Sequence, residues 1–230
     1  MTMPATATHP VPAPNPWALA DLTAPLYLVP PSTPDIRSAM RRGELAAILS
    51  PAAGNRLPDG VLFAADNSAF TGHYPGDAEY LSWLEGLAPH ADRALWVTAP
   101  DCVADHYTTW ARSRDVLPAI RDLGFPAAFV AQDGMEYDHS YDLWESFDVL
   151  FLGGTTTWKL GPAAADLVSN ALQWDKCVHL GRVNSLKRLR YADYIGADTA
   201  DGTYLTYGPD RLLPTVRSWV RQLRDQTALF

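Results

Sequence analysis

The sequence predicts an α/β fold, a compact (β/α)8 barrel of the TIM type behind a disordered, proline-rich N-terminal tail. Three observations carry that prediction. From about residue 26 to the end, eight short apolar runs alternate with longer helix-like segments. The runs are apolar at nearly every position, the pattern of strands buried on both faces, as parallel strands in βα units are. The chain has 230 residues, 47% of them hydrophobic, enough for one well-buried domain. Eight units favour a closed barrel over an open doubly wound sheet.

The elements follow in order. The stretch "MTMPATATHPVPAPNP" (1–16) holds five prolines among small residues. It has neither a basic start nor an apolar centre, so it reads as an extended tail and not as a secretory signal. Residues 17–230 read as one domain, because no repeat, linker or shift of composition divides them. The first run is LYLVP (26–30). A helix led by "STPDIRSAM" separates it from the second, AAILS (46–50). The third is VLFAAD (61–66). The helix-like "DAEYLSWLEGLAPH" precedes the fourth, ALWVTAPD (94–101). A long amphipathic stretch, 105–123, leads to the fifth, AAFVAQD (127–133). The sixth is VLFLGG (149–154), the seventh CVHLGR (177–182) and the eighth YIGAD (194–198). Boundaries are expected to be least regular at the two ends of the barrel.

Composition narrows the function. A net charge of −8 opposes a generally basic nucleic-acid-coating protein, though it leaves room for a local basic site. Cys102 and Cys177 lie far apart with no metal-type spacing, and read as reduced thiols of a cytoplasmic protein. No run of about 18 apolar residues is present, so no membrane span is expected.

In a barrel of this kind the C-terminal ends of the strands form the active face. Polar and glycine residues gather there. Asp66, Asn67 and Ser68 end the third run, Asp101 the fourth, and Gln132 and Asp133 the fifth. Gly153 and Gly154 end the sixth, Arg182 the seventh, and Asp198 and Asp201 follow the eighth. Each has a structural reading too. A carboxylate after a strand is often a helix N-cap, although Asp105 is an equally good cap for the helix after Asp101. Asp201-Gly202 is a common turn pair. His179, inside an apolar run, reads as a satisfied core residue. The row Arg182, Lys187, Arg188 and Arg190 reads either as a solvated helix face or as phosphate contacts. As chemistry, carboxylates match the N–H donors of a planar base such as guanine, while Gln and backbone N–H match its carbonyl. A further ionised carboxylate could attack a sugar carbon while a second acid assists departure.

Six short motifs carry a resemblance. "ADNSAF", "VTAPDC", "VAQDG", "LFLGGTT", "HLGRVNS" and "GADTADG" occur in this order over more than half the chain. In that order they resemble motifs of the tRNA-guanine transglycosylase superfamily, and more closely its phage-type branch, the deazaguanine DNA transglycosylases. The resemblance implies a base-exchange enzyme that replaces guanine in DNA with a 7-deazaguanine such as preQ0, through a covalent aspartyl–sugar intermediate. It implies that Asp201 is the nucleophile and Asp66 the acid/base. It places Asp101 on the guanine N1–H and 2-amino edge, Gln132 and the Gly154 amide at O6, Gly153 among the substrate-binding residues, and Asp198 in support. The row from Arg182 through Lys187, Arg188 and Arg190, with Arg211, Arg217, Arg221 and Arg224, would meet phosphates. Tyr74, Trp158 or Tyr204 would stack on a flipped base. The implied partners are DNA, or alternatively tRNA, and the free base as co-substrate, with no metal or other cofactor and with a possible homodimer. The cysteines of the tRNA enzymes' zinc subdomain have no counterpart after Cys177, which favours DNA and argues against zinc. Asn67 and Ala69 depart from the family's pattern. Two rival expectations remain: a phosphoesterase with Mg²⁺ on Asp66, Asp101 and Asp198, and a non-catalytic, base-binding barrel.

Overall fold

The computed structural model describes Trp17 and residues 23–227 of the chain. The expectation for the tail at 1–16 lies outside the described residues. Eight parallel strands close into a barrel in sequence order. They are β1 (Leu26–Val29), β2 (Ala46–Leu49), β3 (Phe63–Ala65), β4 (Ala94–Thr98), β5 (Ala127–Ala131), β6 (Val149–Leu152), β7 (Cys177–Leu180) and β8 (Thr199–Asp201). Closure comes from β1 pairing with β8, where Leu26, Tyr27 and Leu28 stand opposite Thr199, Ala200 and Asp201. The barrel prediction is thus confirmed.

The helices are α1 (Pro34–Arg41), α2 (Asp77–Glu85), α3 (His106–Ser113), α4 (Val116–Asp122), α5 (Tyr141–Glu145), α6 (Thr156–Lys159), α7 (Pro162–Gln173), α8 (Leu186–Tyr194) and α9 (Pro209–Thr227). Their starts are chemically marked. Thr33 caps α1 by accepting from the Ile36 N–H, with Pro34 in the first turn, where its missing donor is harmless. Asp105 caps α3 by accepting from the Thr108 N–H at 3.0 Å. That leaves Asp101 free of capping duty. The predicted 105–123 stretch is two helices, broken between Ser113 and Val116.

Seven of the eight predicted runs contain their strands. The eighth does not. Tyr194 ends α8, and Gly196 turns the chain with φ +84°, a conformation only glycine adopts freely. The strand starts five residues later than predicted, at Thr199. Tyr194 ends helix α8 with its side chain exposed and Ile195 is its C-cap, and a run this short cannot be told from a strand by its pattern.

Two apolar layers hold the barrel. Leu26, Leu28, Ala46, Ala64, Trp96, Ala128, Val130, Val149 and Phe151 fill its interior. The alternate strand residues, with Ile36, Leu84, Leu117, Leu167 and Val216 from the helices, form the shell between barrel and helices. This two-sided burial explains the unbroken apolar runs.

Candidate active site

Side chains alternate along a strand, so interior positions recur every second residue. That register carries polar groups to the top of the barrel. Two residues beyond interior Ala64 comes Asp66, and beyond Val130 comes Gln132. Gly153 follows Phe151, His179 and Gly181 follow Cys177, and Asp201 follows Thr199. The loop after β4 adds Asp101. Above this layer opens a cavity of about 420 Å³. Its apolar floor and walls come from Ile48, Leu49, Val130 and Phe151, and its polar side from Asp66, Asn67, Asp101, Gln132, Arg182 and Asp201. Phe70 stands at the mouth, mostly exposed, with the Arg182 guanidinium 4.7 Å over its ring.

Small residues make the room. A Cβ on Gly181 would sit 2.6 Å from the Phe151 ring, and one on Gly202 would sit 2.3 Å from the Val183 carbonyl oxygen. Gly202 therefore serves close backbone approach beside Asp201, which the sequence reads as an ordinary turn pair.

The three carboxylates have different surroundings. Asp66 accepts from the Ser68 N–H at 2.8 Å. Burial raises its pKa, Asp201 and Asp101 add to the rise, and the Ser68 hydrogen bond only partly opposes it, which leaves it at about 7. For Asp201, burial acts in the same sense, but hydrogen bonds reverse it. His179 Nε2 lies 3.2 Å from its Oδ1 and adds positive charge when its ring is protonated, the Arg182 N–H lies 3.0 Å away, and Lys159 adds further positive charge, so its pKa falls below the ordinary 3.8. Asp101 is raised by burial, against amide donors from Asn67 at 3.0 Å and Gln132 at 2.8 Å.

Several expected roles do not fit these bonds. Gln132 gives one amide N–H to Asp101, and its oxygen accepts from the Ala104 N–H, so the side chain that would meet a carbonyl is also part of the support of Asp101. The Gly154 N–H donates to the Ala131 carbonyl, and the Gly153 and Gly154 carbonyls receive the Arg182 guanidinium. Gly154 does not line the cavity. Asp198 lies at the opposite, N-terminal end of β8, where its carboxylate accepts from the Val178 N–H at 2.7 Å. Asp66, Asp101 and Asp198 therefore do not converge as a magnesium site would require. Tyr74 bonds Asp77, Trp158 bonds Glu136 and Tyr204 packs on Trp219, all away from the cavity lining. Arg188 donates to the Arg182 carbonyl, Arg211 to the Tyr207 carbonyl, Arg224 to the Gly43 carbonyl, and Arg217 pairs with Glu44. Lys187 and Arg190 are exposed on α8.

Three residues were missed as contributors. Lys159 is buried, with its ammonium on the Gly181 carbonyl, and burial together with Arg182 lowers its pKa to about 7. Nothing in its neighbourhood, "TTWKLG", signals this. Trp96 and Thr199 are interior residues joined to His179. His179 is a satisfied core residue, as read, and it also touches Asp201.

No protein-family model and no curated protein matches the chain. Solved structures match its fold. One is a tryptophan synthase from M. tuberculosis, at 15% identity over 91% of this chain and 96% of that one, with a TM-score of 0.53. Another is KGPDC from Streptococcus mutans, at 11% identity over 89% and 99%, with a TM-score of 0.56. A third is a putative fructose-1,6-biphosphate aldolase from Coccidioides immitis, at 9% identity over 94% and 91%, with a TM-score of 0.54. At these identities the likeness is one of fold.

These findings overturn the transglycosylase resemblance. The matching barrels are those of a tryptophan synthase, a KGPDC and an aldolase, not of tRNA-guanine transglycosylases, and no family model supports the six motifs. Guanine exchange, preQ0 and DNA modification are withdrawn with it. The physical reason is plain. A barrel of this kind gathers its polar site residues at the C-terminal ends of the strands whatever its chemistry, so short motifs at those ends recur in chain order without a shared function.

Proposed function

We propose that the chain is an acid–base lyase that cleaves a small hydroxylated molecule inside the barrel and leaves a carbonyl product. One observation carries the reading: two carboxylates of one cavity are pushed in opposite directions, Asp66 up to about 7 and Asp201 below 3.8. Such a split separates a proton shuttle from a fixed anion. Protonated Asp66 gives its proton to the leaving carbon or nitrogen as that bond breaks, and the bonding pair departs with the leaving atom. Positive charge develops on the hydroxyl-bearing carbon and spreads to its oxygen, where Asp201 stabilises it. The hydroxyl proton then passes to the Asp66 carboxylate, so the carbonyl forms and Asp66 is reset. Asp101, held by Asn67 and Gln132, orients a donor group of the substrate. The apolar floor of Val130 and Phe151 takes the body of the molecule. The cleavage is of the kind the name aldolase denotes for one of the fold relatives, but the support comes from the cavity.

The test is a panel of small β-hydroxy carbonyl and hemiaminal compounds, with released carbonyl trapped by a hydrazine. Asp66→Asn is expected to lose about 10²–10⁴-fold in kcat, the usual worth of a general acid, with its fold intact. Turnover of a panel member at the wild-type rate by Asp66→Asn would overturn the assignment.

A further inference from the structure

Behind Asp201, inside the barrel, three more side chains stand in line. Trp96 on β4 places its indole nitrogen 3.3 Å from Thr199 Oγ1 on β8. Thr199 Oγ1 lies 2.8 Å from His179 Nδ1 on β7, and His179 Nε2 lies 3.2 Å from Asp201 Oδ1. Trp96, Thr199 and His179 have no exposed surface. The imidazole is wedged against Trp96 and Phe151, with ring centroids 4.5 and 4.4 Å away.

The protons in this line can be assigned by counting. An indole N–H can only donate. Thr199 Oγ1 accepts it, and its own single proton goes to its other partner, His179 Nδ1. That nitrogen then carries the lone pair, so the imidazole proton sits on Nε2 and points at Asp201. Both other arrangements fail the count. An imidazolium, or the Nδ1–H tautomer, would aim a second donor at Thr199 Oγ1 and strand the hydroxyl proton in the core, at a cost of about 1–3 kcal/mol. The Nδ1–H tautomer would also turn the Nε2 lone pair toward a carboxylate.

The geometry points to Trp96, Thr199 and His179 as positioning residues, a one-way hydrogen-bond chain that fixes His179 as the neutral Nε2–H tautomer and aims its proton at Asp201. This rests on the reading of Asp201 as the fixed anion of the site and explains what holds it so. The chain does not act alone. Lys159, Arg182, Asp66 and Tyr27 also face Asp201, and Lys159 also faces His179. Burial in the barrel lowers the His179 pKa, against the pull of Asp201, and so favours the neutral ring.

The experiment is long-range ¹H–¹⁵N correlation NMR on histidine-labelled protein, combined with ¹³C titration of the Asp201 carboxyl. The wild type is expected to show His179 protonated on Nε2 alone across neutral pH. Thr199→Val keeps the shape but removes the hydroxyl. It should release the tautomer and raise the Asp201 midpoint by roughly one pH unit, and Thr199→Ser should restore both. A merely structural threonine would move neither. His179 protonated on Nδ1 in the wild type would overturn the proposal even if Thr199→Val fails to fold. So would a Thr199→Val protein with the wild-type tautomer and midpoint. Nε2–H at His179 together with indistinguishable midpoints for Asp66 and Asp201 would leave the chain standing and sink the lyase reading instead.

Discussion

Asp66 is the residue whose charge the fold resists. Its folded pKa, about 7, stands above the ordinary 3.8, so the folded state keeps a proton that the unfolded chain releases. The contribution of that proton is complete below about pH 4 and is lost as pH rises toward 7. Asp66→Asn cannot ionise and escapes the loss. Thermal melts of the two proteins should therefore nearly coincide near pH 4 and diverge up to pH 7. Above that the variant should be more stable by a few kcal/mol, on the order of 5–10 °C in a chain of this size. A variant equally or less stable at pH 8 would contradict the burial account. For Asp201 the sign reverses: its pKa is lowered, so its stabilisation is present above 3.8 and lost in more acid solution. Asp66 was legible in the sequence as the end of the third run, two residues beyond interior Ala64. Asp201 was named only as following the eighth run, and its place as the last residue of β8 was not legible because that run was set five residues early. Nor were their opposite charge states legible, since those depend on Ser68, His179, Arg182 and Lys159, which spacing alone does not bring together.

At the level of the element, the strand–loop junctions decide what reaches the cavity. Gly202 follows β8 where any Cβ would strike the Val183 carbonyl and the Tyr27 hydroxyl, at 2.3 and 2.5 Å. Tyr27 itself donates to the Val183 carbonyl at 2.6 Å, so the junction is bound from two sides. Gly202→Ala is expected to destabilise by about 1–3 kcal/mol, as overpacking does, and to displace the Asp201 carboxyl from the Arg182 N–H. Denaturant melts and the amide proton shift of Arg182 would read the two effects. An unchanged Arg182 shift would mean that the junction does not hold Asp201. The displaced eighth strand belongs to this scale as well. A run of five residues carries too little periodicity to separate a helix end from a strand. The misplacement moved Asp198 from the foot of the barrel to its active face.

For the whole molecule, the barrel was legible because burial on both faces leaves its signature in every strand. The chemistry was less so. Closure brings together residues from β3 to β8, and the sequence alone does not show which polar side chains already satisfy one another. Gln132 and Arg182 line the cavity, but the sequence does not show that Gln132 also holds Asp101 or that Arg182 also holds the Gly153 and Gly154 carbonyls. No helix among the described residues is long and apolar enough to cross a membrane. The central claim is that one closed barrel holds two carboxylates of its cavity in opposite protonation states. Titration of ¹³C-labelled aspartate by NMR, with Asp66→Asn and Asp201→Asn to assign the signals, tests it most directly. The account predicts a midpoint near 7 for Asp66 and one below 3.8 for Asp201. Two ordinary midpoints, both near 4, would contradict it.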